Sequence, residues 1–158
     1  MSIPYMAGYR ALLNGLSPYG IGTEGNGLYV AHTKKCAEFF GSEIYRIEYM
    51  KPERILEVDN EPLILAAASN GDRIFFDAET EWSEVNIIAY KKAGRILSDP
   101  LDRGKVKDIC KFLTEEIKKR GYDCVRVCDS IINLLPGLPS GWDVLLYPEE
   151  MVLTNTMI

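Results

Sequence analysis

The single histidine of this chain, His32, closes the stretch "YGIGTEGNGLYVAHT" (residues 19–33), which also carries four glycines. A lone imidazole can act as a base beside a serine or cysteine nucleophile, yet no residue here sits in a G-x-S-x-G setting. The glycines do not run into Lys-Ser/Thr, so they form no phosphate loop. A dinucleotide turn must follow a strand and open a helix; here the order reads helix, glycine loop, strand. Alone, the stretch reads as a long turn. Cys124 and Cys128 flank "VRV", with Cys36 and Cys110 isolated. Zinc sites need a second matching pair, and "CVRVC" reads instead as a strand whose cysteines share a face. These thiols are expected to be small buried hydrophobes. Acidic residues are scattered, and Glu149 and Glu150 simply follow a strand end.

The elements that must position these residues follow from hydrophobic period. "SIPYM" reads as a short strand and "GYRALLNGL" as a helix, with Leu12, Leu13 and Leu16 on one face and Gly15 at its end. "GLYVA" is predicted as a strand. "HTKKCAEFFG" is predicted as a helix capped by Thr33, with Cys36, Ala37 and Phe40 on one face and Gly41 as the stop. Tyr45, Ile47 and Tyr49 alternate with Arg46, Glu48 and Met50, a period of two. "RILEV" and "RIFFD" read as strands, and "EPLILAAAS" as a short buried helix with Pro62 in its first turn. "AETEWSE" reads as an acidic connector or short helix, and "VNIIAY" fits strand or buried helix. Val106, Ile109, Leu113 and Ile117 mark the buried stripe of a long helix closed by Gly121. "YDCVRV" and "WDVLLY" are strand-like, "PGLPSG" is a turn, and "EEMVLTN" ends in an edge strand.

The 158 residues suit one domain spanning 1–158, of α+β class. A hydrophobic content of 47% with 26% charged residues is ordinary for a soluble globular chain. The net charge of -5 argues against a general nucleic-acid binder. No apolar run approaches a membrane span, and "MSIPYMAGYR" lacks the build of a secretory signal. A cytoplasmic location with reduced thiols is the expectation.

Order and spacing along the whole chain add a resemblance. "LLNGLSPYG…GNGLYVAHTKKCAEFFGSEIYRIEYMKPERILEV", "RGYDCVRV" and "WDVLLYPEEMVL" resemble, in sequence order, segments of ADP-ribosyltransferase-like domains, leaving residues about 60–100 unmatched. The resemblance implies a split pair of β-sheets with a few flanking helices around a cleft that binds NAD as co-substrate. It implies a mono-ADP-ribosyltransferase acting on a protein acceptor, in the manner of a small bacterial or phage effector. Tyr29 would line the nicotinamide pocket, with Gly27, His32 and Thr33 beside it. Asp143 stands where the family carries its acid, usually a glutamate; Glu149 is the alternative in a shifted register. Met6 falls where the family's first motif has histidine, so Arg10 would hold the ribose or phosphate. The carboxylate's physical task is to stabilise positive charge that develops as the nicotinamide–ribose bond breaks. The alternatives are a catalytically degenerate fold that binds a partner protein, through an apolar stretch such as "IINLLPGLP", and an NAD glycohydrolase.

Overall fold

The computed structural model describes residues 4–12, 20–22, 25–58, 80–93, 103–128 and 140–158. The architecture is α+β. Its strands are β1 (Tyr5–Leu12), β2 (Gly20–Gly22), β3 (Gly25–Ala31), β4 (Glu43–Met50), β5 (Ile55–Val58), β6 (Cys124–Val127), β7 (Trp142–Leu145) and β8 (Val152–Met157). Its helices are α1 (Lys34–Glu38), α2 (Glu81–Lys92), α3 (Arg103–Lys119) and α4 (Pro148–Met151). The strands order as β5-β6-β7-β3-β1-β4-β8, with β2 a short hairpin partner of β3. Strands β5 and β6 pair in parallel and the other neighbours are antiparallel.

The strands expected to divide between two sheets instead order as one sheet, which is narrow at one line. Strand β1 meets β4 over a continuous register from Tyr5↔Met50 to Leu12↔Glu43. It meets β3 only at Tyr9↔Ala31. The half-sheet β5-β6-β7-β3 and the half-sheet β1-β4-β8 are thus joined at a narrow line. Gly8 permits the approach there, since a Cβ on it would stand 2.7 Å from the Ala31 carbonyl oxygen.

The register of β1 corrects the helix expected over "GYRALLNGL". Helical spacing of leucines competes with the strongly alternating β4, whose open edge accepts every residue from Tyr5 to Leu12; tertiary pairing overrides local propensity. Leu13, Gly15 and Leu16 lie outside the described residues, as do "EPLILAAAS", "RIFFD" and "IINLLPGLP".

Two cores occupy the two faces. On one face the helices pack Trp82, Val85, Ala89 and Tyr90 of α2 and Ile109, Cys110, Leu113 and Ile117 of α3 against Leu56, Val58, Val125, Val127 and Val144. The ambiguous "VNIIAY" is helical because Trp82, Val85, Asn86, Ala89 and Tyr90 bury a stripe at helical spacing. The Thr80 hydroxyl caps that helix by accepting from the Ser83 amide at 3.2 Å. Helix α3 ends as expected at Gly121, whose φ of +87° suits glycine and whose N–H donates to Lys118 O at 2.9 Å. Arg120 at that end ties Glu81, Glu84 and Glu116 together across α2 and α3.

The opposite face holds Leu28, Val30, Ile47, Tyr49, Cys124, Leu145 and Met151. This second core draws on both half-sheets, and the candidate site lies within it.

Candidate functional site

Asp143 lies on β7 with no solvent exposure. Burial alone would push its carboxyl up, but bonds from His32, Arg126 and Tyr49 outweigh that and hold its pKa at about 2. The Arg126 guanidinium meets it in a two-pronged pair, Nε to Oδ1 at 2.8 Å and Nη2 to Oδ2 at 3.1 Å. His32 Nε2 stands 3.1 Å from Oδ1. The Tyr49 hydroxyl donates to Oδ2 at 2.7 Å.

Strand geometry explains each arrival. Arg126 and Asp143 are register partners across β6 and β7, and partners in an antiparallel pair share a face. His32 follows the end of β3, with its amide anchored to Gly141 O at 3.0 Å. Two residues beyond Val30, the partner of Asp143, it points to the same face. Tyr49 comes from β4, three strands away in the sheet order. In a flat sheet that separation would be about 14 Å, farther than a tyrosine reaches. The sheet therefore folds across the seam, and Asp143 takes a hydrogen bond from each half.

The environment sets the protonation of the neighbours. Burial, reinforced by the Asp143 charge, pushes the Tyr49 phenol above its ordinary range, so it remains a donor. The bonds from Asp143 hold Arg126 firmly as the cation. Burial likewise pushes the Cys124 thiol up. Arg126 Nη2 also lies 3.5 Å from the sulfur of Met6. The His32 and Arg126 side chains are 22% and 21% exposed, so the cluster opens to solvent through its two cationic or polar heads while the carboxylate stays dry.

Of the residues read from sequence, His32, Met6 and Asp143 come together here. Tyr29 does not join them. It pairs with Val144, the neighbour of Asp143, and so points to the helix-packed face; its hydroxyl donates to Gly25 O at 2.6 Å. Arg10 donates from Nη1 to Tyr29 O at 3.2 Å, and burial lowers its pKa. Thr33 is the N-cap of α1, accepting from the Cys36 amide at 3.2 Å, and its hydroxyl meets Ser140 Oγ at 2.7 Å. That helix ends at Glu38, before Gly41, so Phe40 lies beyond it and is 43% exposed. At Gly27 a Cβ would stand 2.5 Å from the Leu145 carbonyl oxygen, so this glycine serves the approach of β3 to β7. Gly25, at φ +97°, lets the hairpin lie on α3, where Asn26 N–H donates to Thr114 Oγ1 at 2.7 Å. Glu149 sits exposed in α4, outside the cluster.

Arg126 and Tyr49 are the site residues that sequence reasoning passed over. The signal for Arg126 was a cation alternating with Val125 and Val127 inside an otherwise apolar strand. Tyr49 carried none, because its aromatic period fits an ordinary half-buried strand equally well.

No family model matches this chain, and no curated protein matches it. A solved structure described as the crystal structure of an anti-CRISPR protein is similar over 98% of this chain and 96% of that one, at 19% identity and a TM-score of 0.44. Likeness at that level says nothing of activity.

The four cysteines stand as thiols, and no group of three or more potential metal ligands occurs among the described residues. No described helix is long and apolar enough to cross a membrane. The site offers one dry, ionised carboxylate between two solvent-reaching nitrogen heads. Such a site can stabilise a developing cation and bind an anion beside it.

Proposed function

We propose that this chain is a mono-ADP-ribosyltransferase that takes NAD as co-substrate and modifies a protein acceptor in a reducing, cytosolic setting. The supporting observation is the surroundings of Asp143, an ionised carboxylate on β7 held by side chains from both half-sheets. The segments "YMAG", "GLYVAHT" and "WDVLLY" lie on the adjacent strands β1, β3 and β7. NAD would supply the ADP-ribosyl group and nicotinamide as the leaving group. Asp143 stabilises positive charge from within an apolar enclosure, where a fixed carboxylate acts more strongly than in water. Arg126 and His32, which reach solvent beside it, suit the diphosphate and ribose hydroxyls of a dinucleotide. His32, at the end of β3, is the donor best placed to yield its position on Oδ1 to a sugar hydroxyl. Tyr29, on the other face, supports β3 and its hairpin in this reading.

The saturation of Asp143 favours a second reading. Four donor contacts occupy its two oxygens, as in a carboxylate that clamps two half-sheets without touching substrate. The chain would then be a binding module for another protein. Incubation with labelled NAD and a lysate of candidate acceptors separates the readings. Label on protein supports transfer, and free ADP-ribose as sole product identifies a glycohydrolase. No product, together with no heat of binding at millimolar NAD, leaves the module.

A further inference from the structure

The edge strand β8 ends the sheet, and among the described residues its only strand partner is β4. Its residues are exposed beyond Val152, including Leu153 at 42%, Met157 at 60% and the following Ile158 at 61%. The run "VLTNTMI" carries no charge and no proline. Natural edge strands normally bear such residues to prevent pairing with another chain.

The run is also chemically palindromic. Folded antiparallel on itself about Asn155, it sets Thr154 against Thr156, Leu153 against Met157 and Val152 against Ile158. Hydroxyl meets hydroxyl and apolar meets apolar at every step. The backbone agrees with this centre. Ile158 N–H donates to Ile44 O at 3.0 Å. By the alternation of antiparallel ladders, Thr154 and Thr156 therefore also turn their groups to β4, while Asn155 and Met157 turn theirs outward. A two-fold axis at Asn155 lets each copy donate to and accept from the other. Leu153 is the extra residue where Glu48↔Thr154 is followed by Tyr49↔Val152, so it stands outside the β4 ladder and is available to a neighbour.

We propose that β8 is a self-association edge, at which two copies of this chain join antiparallel about Asn155 into one continuous sheet. The occupant is a second copy because the register pairs like with like only when the strand meets itself, and a two-fold contact is isologous. The inference rests on β8 alone and is independent of the reading of Asp143.

Light scattering on the intact chain, from low to several hundred micromolar, tests it. The expected result is a reversible shift to twice the 17.8 kDa chain mass. Asn155→Pro removes an outward N–H that β4 does not use and is expected to weaken association at least tenfold with an unchanged circular dichroism spectrum. The double substitution Thr154→Lys and Thr156→Lys opposes like charges across the seam and gives a second route to the same loss. Under mild oxidation Asn155→Cys is expected to form a covalent dimer, since hydrogen-bonded partners stand about 5.5 Å apart at Cα, within disulfide reach. Thr154→Cys, two residues out of register with its own copy, and the parent chain serve as controls that stay monomeric on a non-reducing gel. A chain monomeric throughout the series overturns the proposal. So does a dimer that survives both sets of edge substitutions, or one that cross-links equally at 154 and 155.

Discussion

A carboxylate moved from water into a protein core loses several kcal/mol of hydration unless donors replace it, and Asp143 recovers four donor contacts from three side chains. Removing one partner of such a cluster costs more than the pair contributes, because a buried group is left unanswered. Asp143→Asn keeps the volume but turns an amide N–H₂ toward donors. Urea unfolding is expected to register a loss of about 2–4 kcal/mol. If Asp143 stabilises the reacting centre, labelled transfer from NAD should fall about a hundredfold or more. Tyr49→Phe removes only the bond to Oδ2 and should cost about 1–2 kcal/mol, with the fold intact by circular dichroism. A Tyr49→Phe variant as unstable as Asp143→Asn would contradict this ranking.

At the scale of elements, two local rules carry much of the arrangement around the site. The Thr33 hydroxyl caps α1 and also meets Ser140, the residue before the approach to β7. Thr33→Ala should lose about 1 kcal/mol, largely restored by Thr33→Ser, as measured by denaturant midpoint. Gly25 occupies φ +97° with Thr114 Oγ1 2.7 Å from where a Cβ would stand. Gly25→Ala is expected to cost about 2 kcal/mol through backbone strain and displacement of Thr114. Thermal unfolding that leaves Gly25→Ala equal to the parent would refute that account. Gly25 and Gly27 thus let β3 lie against α3 and β7, and they matter to the site by fixing where β3 delivers His32.

Over the whole molecule, Asp143 also links stability to pH. Its carboxyl titrates at about 2 in the fold against an ordinary 3.8. A folded-state pKa below the unfolded one means the contribution is fully present above pH 4 and is lost as pH falls toward 2. The loss is about 2 kcal/mol. Glu81 and Glu116 are also held below the ordinary glutamate range. The measurement is therefore the difference between the parent and Asp143→Asn in urea unfolding across pH 2–7. That difference should shrink below pH 4, and a difference constant with pH would remove Asp143 from the acid response.

Much of this was legible in the linear chain because it depends on local period and local chemistry. The alternation of Tyr45, Ile47 and Tyr49, the stripe of Ile109, Leu113 and Ile117, the Thr33 cap and the Gly121 stop all follow from neighbours within a turn or two. The α+β class and the interest of Asp143 and His32 followed from the order of segments. Tertiary structure alone decided that Tyr5–Leu12 is a strand, since β4 offers it a full register that its leucines do not announce. It alone decided that Tyr29 and Asp143 face opposite ways, a parity set by pairing Tyr29 with Val144. It alone brought Arg126 and Tyr49 to Asp143 from 17 and 94 residues away. Sequence encodes which residues tolerate burial and which turn the chain. Which buried charges meet depends on strand register and on the fold across the seam, and those are properties of the assembled sheet.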